Sequence, residues 1–391
     1  MNRFSDIVGM ETIKEHLQGA IAGGKMGHAY IINGGLGSGK KMLARALAKS
    51  LQCENLEETI KESSGDISKI DACCNCHSCL QTDTDNEPDI IWVKRSKSVI
   101  SVDDIRDQLV NDIQIKPYSS RYKIYIIDEA EKLGVPAQNA LLKTIEEPPA
   151  YGIIILLTTN ADIFLQTILS RCVLLDIKPI DKKTVVNYLK SNQDMIKERY
   201  EEERRSYGQN IDQACLVNSP DLSEANLEFA ADFAQGRIGR AVDMLASIEF
   251  DKLKESVISL VKNAKDMTCA EICTRVKEIA EYKPKKADDG KDKGAEDKNA
   301  ASSVRKFYID DFLDLLAVWF RDVLVFKSCS DLNFLTFKNE ISSVKDMAET
   351  VSYEGIQDIL DSIDRVKIRL KANVNFDLCI ELLIMAIKEN M

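Results

Sequence analysis

A chain of 391 residues is long enough for two or three domains with their own cores, and its 45% hydrophobic and 29% charged residues are those of an ordinary globular protein, not a disordered or fibrous one. The formal charge of −11 makes the surface as a whole repel phosphate backbones, which argues against tight independent nucleic-acid binding. No apolar run is long enough to cross a bilayer and Met1 to Asp6 carries no apolar signal core, so a cytoplasmic protein with no membrane partner is expected.

The first strong signal is His28-Ala29-Tyr30-Ile31-Ile32-Asn33, a short buried strand, followed by Gly34-Gly35-Leu36-Gly37-Ser38-Gly39-Lys40-Lys41 and then by the helix formers Met42 to Ala48. Strand, glycine loop and helix is the order of a P-loop. There, backbone N–H groups freed by glycines curl around phosphate oxygens, a lysine neutralises the terminal phosphates, and a Ser or Thr hydroxyl completes the Mg²⁺ shell. Gly34, Gly37, Gly39 and Lys40 fill their places, but Lys41 stands where the hydroxyl belongs. A protonated amine has no lone pair for Mg²⁺ and repels it, so a phosphate-shaped loop with little or no ATP hydrolysis is expected.

Eleven cysteines in a chain without an export signal argue against a disulfide framework. Cys53 and the run Cys73-Cys74-Asn75-Cys76-His77-Ser78-Cys79 concentrate five of them. The spacing of Cys73, Cys76 and Cys79 lets tight turns aim three thiols at one centre, and Cys53 closes a tetrahedron around Zn²⁺, with Cys74 and His77 as alternative fourth ligands. Four thiolates leave no open position for a catalytic water, so the metal is expected to be structural. The scattered Cys172, Cys215, Cys269, Cys273, Cys329 and Cys379 read as small buried residues.

Apolar strands then alternate with helical segments at Ile90 to Val93, Ile124 to Ile127, Ile153 to Leu157 and Val173 to Leu175, the pattern of a parallel sheet covered on both faces. Asp128 and Glu129 follow the second of these strands, where one can hold Mg²⁺ through water and the other can orient an attacking water. Asn160 follows the third, within reach of a phosphate or lytic water. Arg171, in Ser170-Arg171-Cys172, offers a planar fork of donors at a helix end, suited to a phosphate on a neighbouring subunit.

Beyond Pro179 the chain reads as helices. Asp181 caps one through Leu189, Gln193 to Arg205 reads as a solvated charged excursion, and another helix spans Ser223 to Phe233. Gly236-Arg237-Ile238-Gly239-Arg240 then opens a further helix in which Arg240 can act as a lid sensor. Lys283 to Ser303 has almost no large apolar group and reads as a disordered loop, flanked by amphipathic helices such as Phe312 to Val325 and Phe376 to Lys388.

Taken with Phe4-Ser5-Asp6-Ile7-Val8-Gly9, His28-Ala29-Tyr30, Ala140-Leu141-Leu142-Lys143-Thr144-Ile145-Glu146-Glu147-Pro148-Pro149 and Asn373-Val374-Asn375, these motifs resemble the AAA+ clamp loaders of bacterial DNA polymerase III over nearly the whole chain. The resemblance implies an α/β AAA+ P-loop core with a parallel sheet over 1–178 and a zinc-binding insert at 53–80. It further implies a small helical lid over 179–247 and an all-α collar over 248–391. It implies a stator subunit that helps load a sliding clamp on primed DNA beside gamma/tau and delta subunits, supplying Arg171 in trans to a neighbour's ATP site. Zn²⁺ in the cysteine insert is the implied cofactor. Whether ATP enters the degenerate cradle of Gly34, Gly37, Gly39, Lys40, Lys41, Asn160 and Arg240 is left open. An active motor of the gamma/tau type is the alternative, against which Lys41 stands.

Overall fold

The structure is a computed structural model and describes residues 3–206, 219–281, 296–329, 331–372 and 374–391. Two compact units emerge, Met1–Tyr188 with Gly236–Arg240, and Leu189–Gln235 with Ala241–Met391.

The first unit is built on five parallel strands, β1 (Ala29–Asn33), β2 (Ile90–Trp92), β3 (Lys123–Ile127), β4 (Gly152–Thr158) and β5 (Val173–Asp176), in the order β2-β3-β4-β1-β5. Its helices are α1 (Glu11–Ala22), α2 (Lys40–Gln52), α3 (Leu56–Glu62), α4 (His77–Asp83), α5 (Val102–Ile105), α6 (Val135–Glu146) and α7 (Gln166–Leu169). Strand side chains alternate between two apolar layers. Tyr30, Ile32, Ile124, Ile126 and Ile155 pack with α1, α2 and Cys53, Cys76 and Cys79, whereas Ile31, Tyr125, Ile127, Ile154 and Leu156 pack with α5, α6 and α7. Burial on both faces is why the strands read as continuous apolar runs.

Helix α2 sets the geometry of both candidate sites. Thirteen residues, mostly strong helix formers, make a rod of about 20 Å with the glycine loop at its N-terminus and Cys53 at its C-cap. Leu43, Ala44, Ala46, Leu47 and Ala48 are wholly buried, which fixes the rod on the sheet. On the other face, α6 starts with Pro136 in its first turn and ends just before Glu147-Pro148-Pro149.

After the strands come α8 (Lys182–Ser191), most of which belongs to the first unit, and α11 (Ile238–Ala246), whose first three residues do; the second unit holds the rest of these two with α9 (Gln193–Ser206), α10 (Glu224–Ala234), α12 (Ile248–Asn263), α13 (Cys269–Glu281), α14 (Glu296–Cys329), α15 (Ile341–Thr350), α16 (Tyr353–Lys371) and α17 (Phe376–Asn390). Trp319 of α14 is fully buried against Phe337, and the buried Asp322 carboxylate accepts the backbone N–H groups of Thr336 and Phe337 at 2.7 and 2.8 Å. Three expectations are corrected. Gln193–Ser206 is a helix, because Ile196 and Tyr200 are buried and i,i+3 and i,i+4 ion pairs lace its polar face. The loop expected over 283–303 lies outside the described residues as far as 295, and Glu296–Cys329 is helical. Cys269 and Cys329 are exposed, not buried, while Cys215 lies outside the described residues.

On α17 the apolar positions divide between two faces. Cys379, Ile380, Leu383, Ile384 and Ile387 are buried, whereas Leu378, Leu382 and Met385 stand in solvent at 52, 44 and 51% exposure. Among the described residues no helix is long and apolar enough to cross a membrane.

Candidate nucleotide and metal sites

The loop between β1 and α2 has the backbone of a phosphate cradle. Gly37 and Gly39 have φ of 72° and 92°, values open to glycine, and Gly39 caps α2 so that the helix N-terminal N–H groups point into the loop. The Lys40 ammonium donates to the carbonyls of Gly34 and Gly35, the latter at 2.9 Å. Burial lowers its pKa, as do the charges of Lys41 and Arg237, while Glu131 and Asp128 oppose the shift.

Lys41 lies at a location that the sequence alone does not reveal: its Nζ is 2.6 Å from Oδ2 of Asp128 at the carboxyl end of β3. The side chain expected to hold Mg²⁺ therefore binds an ammonium instead. With the hydroxyl ligand replaced and the carboxylate engaged by a cation, the donor set does not fit Mg²⁺. Glu129 is also committed. Its Oε2 accepts from Arg95 at 2.5 Å and from Lys132 at 2.7 Å. Burial would raise its pKa, but the Lys132 bond and the charges of Lys132, Arg95 and Lys41 outweigh burial and hold the carboxyl below its usual range. A carboxylate held by two cations is poorly suited to take a proton from water.

The start of α11 closes over the loop. The Gly239 N–H donates to the Gly37 carbonyl at 2.9 Å, and a Cβ on Gly37 would lie 2.3 Å from the backbone nitrogen of Arg240. Both a positive φ and backbone contact forbid a side chain there. Gly37→Ala should therefore lower the stability of the first unit by about 2 kcal/mol or more. The check is the urea midpoint of the transition followed by the Trp92 fluorescence of that unit in a Trp319→Phe background. A shift equivalent to less than about 0.5 kcal/mol would refute the contact.

Arg237, which the sequence reading passes over, is also at the loop: its Cδ lies 3.0 Å from where a Gly35 Cβ would be. Its only sequence signal is its place beside Gly236 at the head of α11. Asn160 lies just past the end of β4, beside the loop by strand register, and its side-chain oxygen accepts the Asp162 N–H at 2.9 Å.

Arg171 is elsewhere. It precedes β5, whose first residue Val173 pairs with Tyr30, whereas the glycine loop follows Asn33, which pairs with Asp176 at the far end of that strand. In a parallel pair this puts arginine and loop at opposite ends of β5, whose length separates them by about 10 Å. The guanidinium bonds Glu146 at 3.1 Å and the Thr167 carbonyl at 3.0 Å, and remains 42% exposed.

At the other end of α2 the sulfurs of Cys53, Cys73, Cys76 and Cys79 all lie within 4.8 Å of one another. Tetrahedral zinc with Zn–S bonds near 2.3 Å requires sulfurs roughly 3.8 Å apart, so the cluster could hold such an ion after a small contraction. Backbone N–H groups of Cys73 and Cys79 already point at the sulfurs of Cys53 and Cys76, both at 3.4 Å. A bond from Cys79 holds the Cys53 thiol down to about 5 and pushes Cys79 upward, while burial raises Cys76. Of the alternatives for the fourth ligand, the structure groups Cys53 with the other three sulfurs and leaves Cys74 and His77 outside that group. Cys74 bonds the Ala72 carbonyl at 3.7 Å, and His77 opens α4. The fully buried Lys49 of α2 pairs with Asp83 of α4 at 2.7 Å, fastening the insert to the rod.

A five-stranded parallel sheet with a glycine loop between β1 and α2 and two acids after β3 defines an AAA+-like P-loop core. Two family models match the chain, "DNA polymerase III, delta subunit" over residues 9–181 and "DNA polymerase III, delta subunit, C terminal" over residues 295–389. Between them they take in more than half of the chain, which belongs to the clamp-loader family of DNA polymerase III subunits.

Curated relatives include the DNA polymerase III subunit tau of Bacillus subtilis, 27% identical over 93% of this chain and 57% of that protein. The subunit tau of Escherichia coli is 35% identical over 48% of this chain and 27% of that protein. The chain thus spans only about a quarter to just over half of the length of these relatives. Among solved structures, a gamma subunit-related protein of Thermotoga maritima is similar at 18% identity and a TM-score of 0.37, covering 96% of this chain and 99% of that one. The Bacillus subtilis clamp loader delta protein is similar at 11% identity and a TM-score of 0.30, with the same coverage of 96% and 99%.

Proposed function

We propose that this chain is the delta prime subunit, the stator, of a cytoplasmic DNA polymerase III clamp loader. It assembles with gamma/tau and delta subunits, and through that complex acts on the sliding clamp and primed DNA. Its own loop does not turn over ATP. One observation carries the reading: the cation on Asp128 is Lys41, while Arg171 is half-exposed at the sheet edge away from the loop, a position that suits it to another subunit's nucleotide and not to this chain's own. In that role the guanidinium stabilises charge on a neighbour's γ-phosphate. The cysteine cluster holds structural Zn²⁺, and α17 contributes to a collar joining subunits, consistent with its exposed Leu378, Leu382 and Met385.

A second reading, an active gamma/tau-type ATPase, has its own support in the tau similarity that runs over 93% of this chain. Reconstitution separates the two. The stator reading expects the chain to co-purify with gamma/tau and delta and to lose stimulated ATPase with Arg171. The motor reading expects the chain to hydrolyse ATP alone.

A further inference from the structure

The stator reading leaves open what the glycine loop is for, and the residues around it have a property that neither a working motor nor a vestigial turn requires. Three cations converge on one cradle: Lys40 inside it, Lys41 at its mouth against Asp128, and Arg237 against Gly35. An ordinary P-loop relies on Mg²⁺ to offset the phosphate charge and to bridge it to the acid after β3. Here an ammonium at 2.6 Å from that acid supplies a positive charge from within the chain.

Resting on that reading of the loop, we propose that the cradle is a metal-independent site for the phosphates of a nucleoside di- or triphosphate, in which Lys41, anchored on Asp128, does the bridging that Mg²⁺ does elsewhere. The backbone supports this. Positive φ at Gly37 and Gly39 gives the loop the tight backbone turn that a phosphate cradle needs, and α2 is long enough to present a helix N-terminus to an anion. Electrostatics select for metal-free ligand. A nucleotide arriving with Mg²⁺ would set a divalent cation against Lys41, whereas free nucleotide meets three cations and fixed amides. Because Lys41 is 65% exposed, its bond to Asp128 is weak enough for the ammonium to swing onto a phosphate oxygen while staying near the carboxylate. No bond is made or broken in this step; the loop binds and holds.

The test is calorimetric titration of the full chain with ADP and with ATP, once in EDTA and once in excess Mg²⁺. The wild-type protein should bind in EDTA, with affinity that excess Mg²⁺ leaves within about threefold or weakens. Lys41→Thr should weaken binding in EDTA by about tenfold, the loss of one charge-assisted contact, and recover when Mg²⁺ is added. Lys41→Arg, which keeps the cation, should still bind in EDTA. Absence of binding in EDTA, or a tenfold or greater gain with Mg²⁺ in the wild-type protein, would overturn the proposal. A chain that binds no nucleotide but still supports Arg171-dependent ATPase in the complex fails here alone. One that hydrolyses ATP by itself instead removes the stator reading.

Discussion

Arg171→Ala should depress ATP hydrolysis at the neighbouring motor's site by about 10³-fold or more, the size of effect found when a phosphoryl-transfer site loses an arginine supplied in trans. That loss corresponds to about 4 kcal/mol of transition-state stabilisation. Assembly should survive the substitution. The pair with Glu146 is 42 and 44% exposed, and exposed pairs contribute about 0–1 kcal/mol to stability. Arg171→Lys should recover little, because a lysine keeps the charge but not the planar fork. The measurement is single-site turnover in the reconstituted complex with clamp and primed DNA, beside the elution volume of the complex. Unchanged turnover with intact assembly would reject the finger role.

Removal of the metal should have the second large effect, and a local one. Cys53, Cys76 and Cys79 belong to the apolar layer that holds α2 on the sheet, so an ion bound there would join the insert to the core instead of hanging on a separate knuckle. Elemental analysis should find zinc equimolar with protein. Cys76→Ser should lose it, while Cys74→Ser and His77→Ala, whose side chains lie outside the cluster, should keep it. Apparent binding energies for such sites are about 10–16 kcal/mol. Loss of the ion should open residues 53–80 to proteolysis while the five strands persist, since those strands bury their own core. Full zinc retention in Cys76→Ser would mean that the ligands are wrong.

How much of this was legible in the sequence follows from how local each signal is. Strands such as Gly152–Thr158 were readable because a strand buried on both faces must be apolar throughout. The glycine loop and the cysteine run were readable because their chemistry fixes short spacings. The ion pair between Lys41 and Asp128 was not, since it joins residues brought together only by strand order. Nor was the approach of Gly239 to Gly37, where the informative residue is a glycine whose missing side chain matters only once the two segments meet. Gln193–Ser206 was misread because its charge density hid two buried positions, Ile196 and Tyr200, at helical spacing. The apolar residues of α17 were visible in sequence, but their division between a buried and an exposed face depends on where α16 lies.

With Lys41 seated on Asp128, this chain's own loop should assemble no magnesium-dependent hydrolytic site. The most direct measurement is phosphate release from ATP by the isolated 391-residue chain in excess Mg²⁺, compared with a gamma/tau motor under the same conditions. The account predicts release no faster than in buffer. Turnover approaching that of the motor would contradict it.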